Sequence, residues 1–179
     1  KEEDYASALD SLEPLDGVCF VSGISKLAPP HLMNKKHINK IVDINLVSPI
    51  ALLSFLLKKK LIKDAASIIF TSSSGRHNQV ECSSPYSASK MGILGAVNSL
   101  ASDLSKKLIR VNSVSFDYVK SEMSDSINTD QFTKGTVGVS PVEYSCIPYL
   151  FLLSIMSRWI TGQIISADAG RMLTKTRYV

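Results

Sequence analysis

The chain has 179 residues, 45% of them apolar and 20% charged, with 9 Gly, 7 Pro and 3 Cys. That balance sets aside a disordered tail, a collagen-like repeat and a disulfide-built miniprotein, and the length is that of one domain. The net charge of +4 is too small and too dispersed to point to nucleic acid.

The opening Lys1-Glu2-Glu3-Asp4 is neither a Met start nor a basic leader, so the chain reads as if it starts partway through a longer one. Glu2 to Leu12 predicts a short polar helix, ended by Pro14. Val18-Cys19-Phe20-Val21 has the length of a strand and runs into Ser22-Gly23. Lys35 to Lys60 predicts a long helix in which Pro49 demands a kink or an early break. Its Lys58-Lys59-Lys60 end fits cations at a helix C-terminus.

Ser67 to Thr71 is a compact run without alternation, the pattern of a strand covered on both faces. A Ser-rich loop follows, and then a helix from Ser84 to Leu104 with small residues along one side. Ile109 to Val114 and Gln163 to Asp168 predict two further strands, and Ser140-Pro141 predicts the start of a helix reaching about Ser157. No apolar run approaches about 18 residues, so no membrane span and no membrane partner is expected. Cys19, Cys82 and Cys146, an odd number without paired spacing, predict free thiols in a reducing, cytoplasmic setting. His31, His37 and His77 share no ligand-like spacing with them, and no metal site is expected.

Strands alternating with helices imply βαβ crossovers, hence an α/β fold with a mostly parallel sheet. Ligands of such sheets bind beyond the carboxyl ends of the strands. The segments Ser22-Gly23, Ser72 to Gly75, Ser115 to Asp117 and Asp168 to Gly170 would then share one edge.

Tyr86 and Lys90, four apart on a predicted helix, share a face. A cation beside the phenol favours its ionised form, and a Tyr so tuned can act as general acid or base. Ser73 precedes Tyr86 by 13 residues at a strand end, where its hydroxyl could reach the same substrate oxygen. Asn45, a poor helix former, sits mid-helix, where it could bend the helix and hold a water that relays protons to the lysine. Each also has a plain reading: a surface pair, a turn serine, a surface asparagine. The joint order of a strand, Ser-Ser-x-Gly, and Tyr86-Ser87-Ala88-Ser89-Lys90 on a small-residue helix is far more specific.

At this point the chain resembles the short-chain dehydrogenase/reductase family, near its 3-oxoacyl-carrier-protein reductases. Tyr86 to Lys90 matches the Tyr-x-x-x-Lys element, and Ile109-Arg110-Val111-Asn112, Ile160-Thr161-Gly162 and Asp168-Ala169-Gly170 resemble further family motifs in the right order. The resemblance implies a Rossmann-like, doubly wound parallel sheet with helices on both faces. Residues 1–179 would be one domain, the C-terminal two-thirds of the family's fold, truncated at its N-terminal cofactor-binding part. It implies hydride transfer between NAD or NADP and a small-molecule carbonyl or alcohol. Asn45, Ser73, Tyr86 and Lys90 would be catalytic. Ser22, Gly23, Tyr86, Lys90, Val119 and Ser121 would contact the cofactor, and the polar segment from Ser121 to Ser140 would cover the substrate. It also implies a homo-oligomer through the helices at about 35–60 and 84–107.

The family's Gly-rich phosphate turn has no counterpart before residue 17, and the residue selecting NAD or NADP would lie in that same part. Phe20-Val21-Ser22-Gly23 stands where the family has Asn-Asn-Ala-Gly, and Phe116-Asp117 where it has Pro-Gly. A non-catalytic structural or binding subunit, or an inactive truncated product, therefore remain alternative readings.

Overall fold

The computed structural model describes residues 9, 11–74, 81–120 and 138–170. Four strands form one parallel sheet whose spatial order follows the chain: β1 (Leu15–Phe20), β2 (Ile62–Ser73), β3 (Arg110–Phe116) and β4 (Ile164–Ala167). Parallel neighbours cannot be joined by tight turns, so helices carry the chain back between them. The first crossover holds α1 (Lys35–Val42) and α2 (Ser48–Lys58), the second α3 (Ser84–Asp103), and the third α4 (Val142–Ser145) and α5 (Ile147–Leu153).

The sheet is covered on both faces, as its unbroken apolar strands require. On one side Ile68, Phe70 and Val111 pack with Leu53 and Leu56 of α2 and Val97 of α3. On the other, Ile69 and Val114 pack with Leu152 of α5. Gly17 of β1 makes room for α5: a Cβ there would lie 2.5 Å from Leu153 Cδ2 and 3.1 Å from the Ser67 carbonyl oxygen.

Several predicted boundaries move. β2 is far longer than Ser67 to Thr71. Its start is disguised by exposed Lys63 and Asp64 and by Ala65 at φ 61°, where the pairing with β1 jumps from Leu15–Ile62 to Gly17–Ser67. Its end is disguised by Ser72 and Ser73, which nonetheless pair with β3. The single helix expected from Ser140 to Ser157 is instead α4, α5 and a 3-10 turn at Ile155–Ser157, because Pro148 can sit only in the first turn of a new helix. Ser140 does not cap it; its hydroxyl points to the Pro141 carbonyl.

The long helix at 35–58 is continuous but changes pitch. Asp43–Val47 forms a π-helical turn, closed by Ser48 N–H bonding to the Asp43 carbonyl, and α2 follows with Pro49 in its first turn. The break demanded by Pro49 is thus met by one widened turn. This helix is long and apolar enough to cross a membrane, contrary to the run-length expectation, yet Leu53 and Leu56 pack in the core. Lys58 ends α2 and Lys59 caps it, as the charge pattern predicts. The three cysteines are free thiols. Most of the residues expected to form a polar helix from Glu2 to Leu12, and most of the Ser121 to Ser140 segment, fall outside the described residues.

Candidate active site

The carboxyl ends of the four strands, at Phe20, Ser73, Phe116 and Ala167, line one edge of the sheet. Tyr86 and Lys90 come from the first two turns of α3. Lys90 is only 6% exposed; its Nζ donates to the Thr71 carbonyl at 2.9 Å and lies 5.9 Å from the centre of the Tyr86 ring. Ser73, the last residue of β2, is hydrogen-bonded to the Tyr86 side chain.

Asn45 is fully buried inside the π-helical turn. Its Oδ1 accepts from Ile24 N–H at 2.8 Å, and its Nδ2 donates to the Ile24 carbonyl at 2.9 Å and to Ser89 Oγ at 3.0 Å. Ser89 Oγ in turn donates to the Tyr86 carbonyl at 2.7 Å. The segment leaving β1 is thereby tied through Asn45 and Ser89 to the helix that carries the tyrosine. A Cβ on Gly23 would lie 3.2 Å from Lys90 Nζ and 3.4 Å from Asn45 Oδ1. Gly23 backbone therefore lies directly over both groups, and a bare glycine keeps the space between them open.

Of the residues singled out from sequence, the fold brings Gly23, Asn45, Ser73, Tyr86 and Lys90 together. Ser22 is exposed beside Gly23. Val119 lies three residues past the end of β3 and bridges to Ser140. Ser121 is outside the described residues. Sequence reasoning overlooked Thr71, whose contribution is a backbone carbonyl and leaves no side-chain signal. It also overlooked Ser89, although that residue stands inside the Tyr-x-x-x-Lys element.

The expected push of Tyr86 toward the phenolate is not what the geometry produces. Burial raises the phenol above its ordinary value, and the Ser73 hydrogen bond opposes this only in part. Lys90 directs its ammonium to the Thr71 carbonyl, and burial lowers its own value to about 8. The pair is thus a neutral phenol beside a cation that loses its charge unusually easily. That is a proton donor held next to a group able to stabilise the phenolate left behind.

The residues present fit the nicotinamide ribose end of a dinucleotide. Gly23 leaves open backbone over Lys90, whose ammonium can donate to ribose hydroxyls, and all of this lies where parallel sheets bind such ligands.

A family model described as enoyl-(acyl carrier protein) reductase matches residues 2–171. The 3-oxoacyl-(acyl-carrier-protein) reductase of Rickettsia bellii is 29% identical over 182 residues, spanning 96% of this chain and 73% of that protein. Carbonyl reductase family member 4 of Xenopus laevis is 31% identical over 168 residues, spanning 92% of this chain and 70% of that one. The crystal structure of a short-chain dehydrogenase family protein from Francisella tularensis superposes with a TM-score of 0.86 at 26% identity, over 97% of this chain and 78% of that one. Together with the parallel sheet and the grouping at its carboxyl edge, these matches establish that the chain belongs to the short-chain dehydrogenase/reductase family of oxidoreductases.

Proposed function

We propose that the protein reduces a small-molecule carbonyl, or oxidises the corresponding alcohol, using NAD or NADP, with Tyr86 as the general acid and base. The observation that carries this reading is the convergence of Ser73, Tyr86 and Lys90 at the carboxyl edge of the sheet. When bound, the nicotinamide supplies or accepts the hydride. In the reducing direction Ser73 holds the carbonyl oxygen, and Tyr86 donates its phenolic proton to that oxygen as negative charge develops there. Lys90 then stabilises the phenolate until solvent reprotonates it. Asn45 keeps Gly23 and Ile24 seated over Lys90, and Ser22, Gly23, Tyr86, Lys90, Val119 and Ser121 form the cofactor's contact set.

The same reading includes a cytoplasmic location, in keeping with three free thiols, and a homo-oligomer. The oligomer would form through the helices at about 35–60 and 84–107, where Val47 and Met91 are exposed apolar side chains. Tyr86→Phe is the direct test. It removes the proton donor and leaves the ring, so turnover of a 3-oxoacyl thioester or a simple ketone with NADPH should fall by about 10²–10⁴-fold while the melting temperature stays put. Full turnover in that variant would refute the assignment. Phe116-Asp117 in place of Pro-Gly favours a second reading as a binding subunit, which failure of the protein to bind either dinucleotide would support.

A further inference from the structure

The end of β2 presents three consecutive serines with different jobs. Ser72 is tied inward to β3: Ser113 Oγ donates to Ser72 Oγ at 2.8 Å, and Ser72 Oγ donates to the Val114 carbonyl at 3.4 Å. Ser73, opposite Phe116 in the last rung of the β2–β3 pairing, meets Tyr86. Ser74 is past the strand and 2% exposed, and its Oγ donates to Asp117 Oδ1 at 2.8 Å. Asp117 is the residue after Phe116.

The backbone ladder therefore stops at Ser73, and a side-chain bond continues it by one step. A hydroxyl donating to a carboxylate is a charge-assisted bond, stronger than a neutral one.

We propose that Asp117 is a positioning residue for Ser73, acting through Ser74. The proposal rests on the reading of Ser73 and Tyr86 as catalytic. It adds that the carboxylate standing where the family resemblance implies glycine is part of this protein's own way of holding the Ser73 hydroxyl on Tyr86. The acceptor oxygen matters here more than the charge, which separates the idea from a purely electrostatic effect on the cofactor.

The test uses Asp117→Ala, Ser74→Ala, the double variant, Asp117→Asn and, as a control, Ser73→Ala, all in the intact protein. Displacing a reacting group by about 1 Å costs up to about 100-fold in rate. Asp117→Ala and Ser74→Ala should each lower kcat by about 10- to 100-fold, with KM and dinucleotide affinity within about twofold. The double variant should be no worse than either single one, since both remove the same bond. Asp117→Asn, which keeps Oδ1 as acceptor, should recover most of the loss. A second readout does not need turnover: in ¹³C-tyrosine NMR, with Tyr86 assigned through Tyr86→Phe, the ionisation midpoint of Tyr86 should rise in Asp117→Ala as the Ser73 bond weakens. An unchanged kcat together with an unmoved Tyr86 midpoint in Asp117→Ala would overturn the proposal. Asp117→Asn behaving like Asp117→Ala would overturn it too. Full turnover in Ser73→Ala would instead overturn the catalytic reading, and the NMR midpoint would still judge the tie.

Discussion

Asn45→Ala offers a measurement whose size can be worked from the geometry. The side chain makes three hydrogen bonds, two of them to the backbone donor and acceptor of the same residue, Ile24, and one to Ser89 Oγ. In effect it substitutes for a neighbouring strand at the point where β1 has ended. At about 1 kcal/mol per bond the substitution costs about 3 kcal/mol, and more if the Ile24 groups stay shielded from water without partners. For a chain of this size 1 kcal/mol moves the melting temperature by about 2–4 °C, so a drop of about 6–12 °C is expected. Ser89→Ala removes one of the three bonds together with the Ser89 hydroxyl's own bond to the Tyr86 carbonyl and should cost about 2 kcal/mol. Circular dichroism melts of the parent and both variants, without dinucleotide, provide the comparison. If Asn45→Ala melted within about 2 °C of the parent, or Ser89→Ala cost as much as Asn45→Ala, the account of Asn45 as the anchor of the β1 exit would be wrong.

Lys90 provides a prediction in pH. It is charged below about 8 and neutral above, so the rate of carbonyl reduction should fall along a limb near pH 8, where an exposed lysine would place that limb near 10.5. The sign for stability is the reverse. Between about 8 and 10.5 the unfolded chain still binds a proton at Lys90 that the folded one has released, so resistance to urea should rise over that window. A pH–rate profile flat through pH 9 would count against the buried position of the ammonium. Thr71 Oγ1 donates to the Phe20 carbonyl at 2.7 Å and pairs with the Tyr149 hydroxyl at 2.6 Å. Thr71→Val should therefore cost about 1–3 kcal/mol by stranding both, and adding Tyr149→Phe should recover part of it. A double variant as unstable as the sum of the two singles, measured in urea, would show that the hydroxyls are not coupled.

The alternation of apolar runs with helical segments was enough to predict a parallel sheet and to place the polar segments after the strands on one edge. Tyr86 and Lys90 were legible because four-residue spacing on a helix is a geometric statement. Ser73 was legible because it closes an apolar run. What stayed hidden was structure held by groups without a pattern. The start of β2 carries charges and a left-handed Ala65 that look like a loop. The Thr71 carbonyl that captures Lys90 belongs to the backbone and not to a side chain. The polarity of the Tyr–Lys pair is hidden for a related reason: spacing shows that two side chains can meet, but not how far burial shifts each of them.

The π-helical turn at Asp43–Val47 has a consequence for how this fold can change. It accommodates one residue more than an α-helical turn would, and one residue is about 100° of rotation around a helix axis. Ile41 before the turn and Leu53 and Leu56 after it are all buried, so both stretches already face inward with the extra residue counted. Deleting one residue from the turn would restore a regular helix with both stretches still facing inward, because the turn already absorbs that residue. The widened turn that seats Asn45 is therefore a place in this helix where a single residue can be lost without turning either apolar stretch to water, at the cost of the Asn45 seat itself.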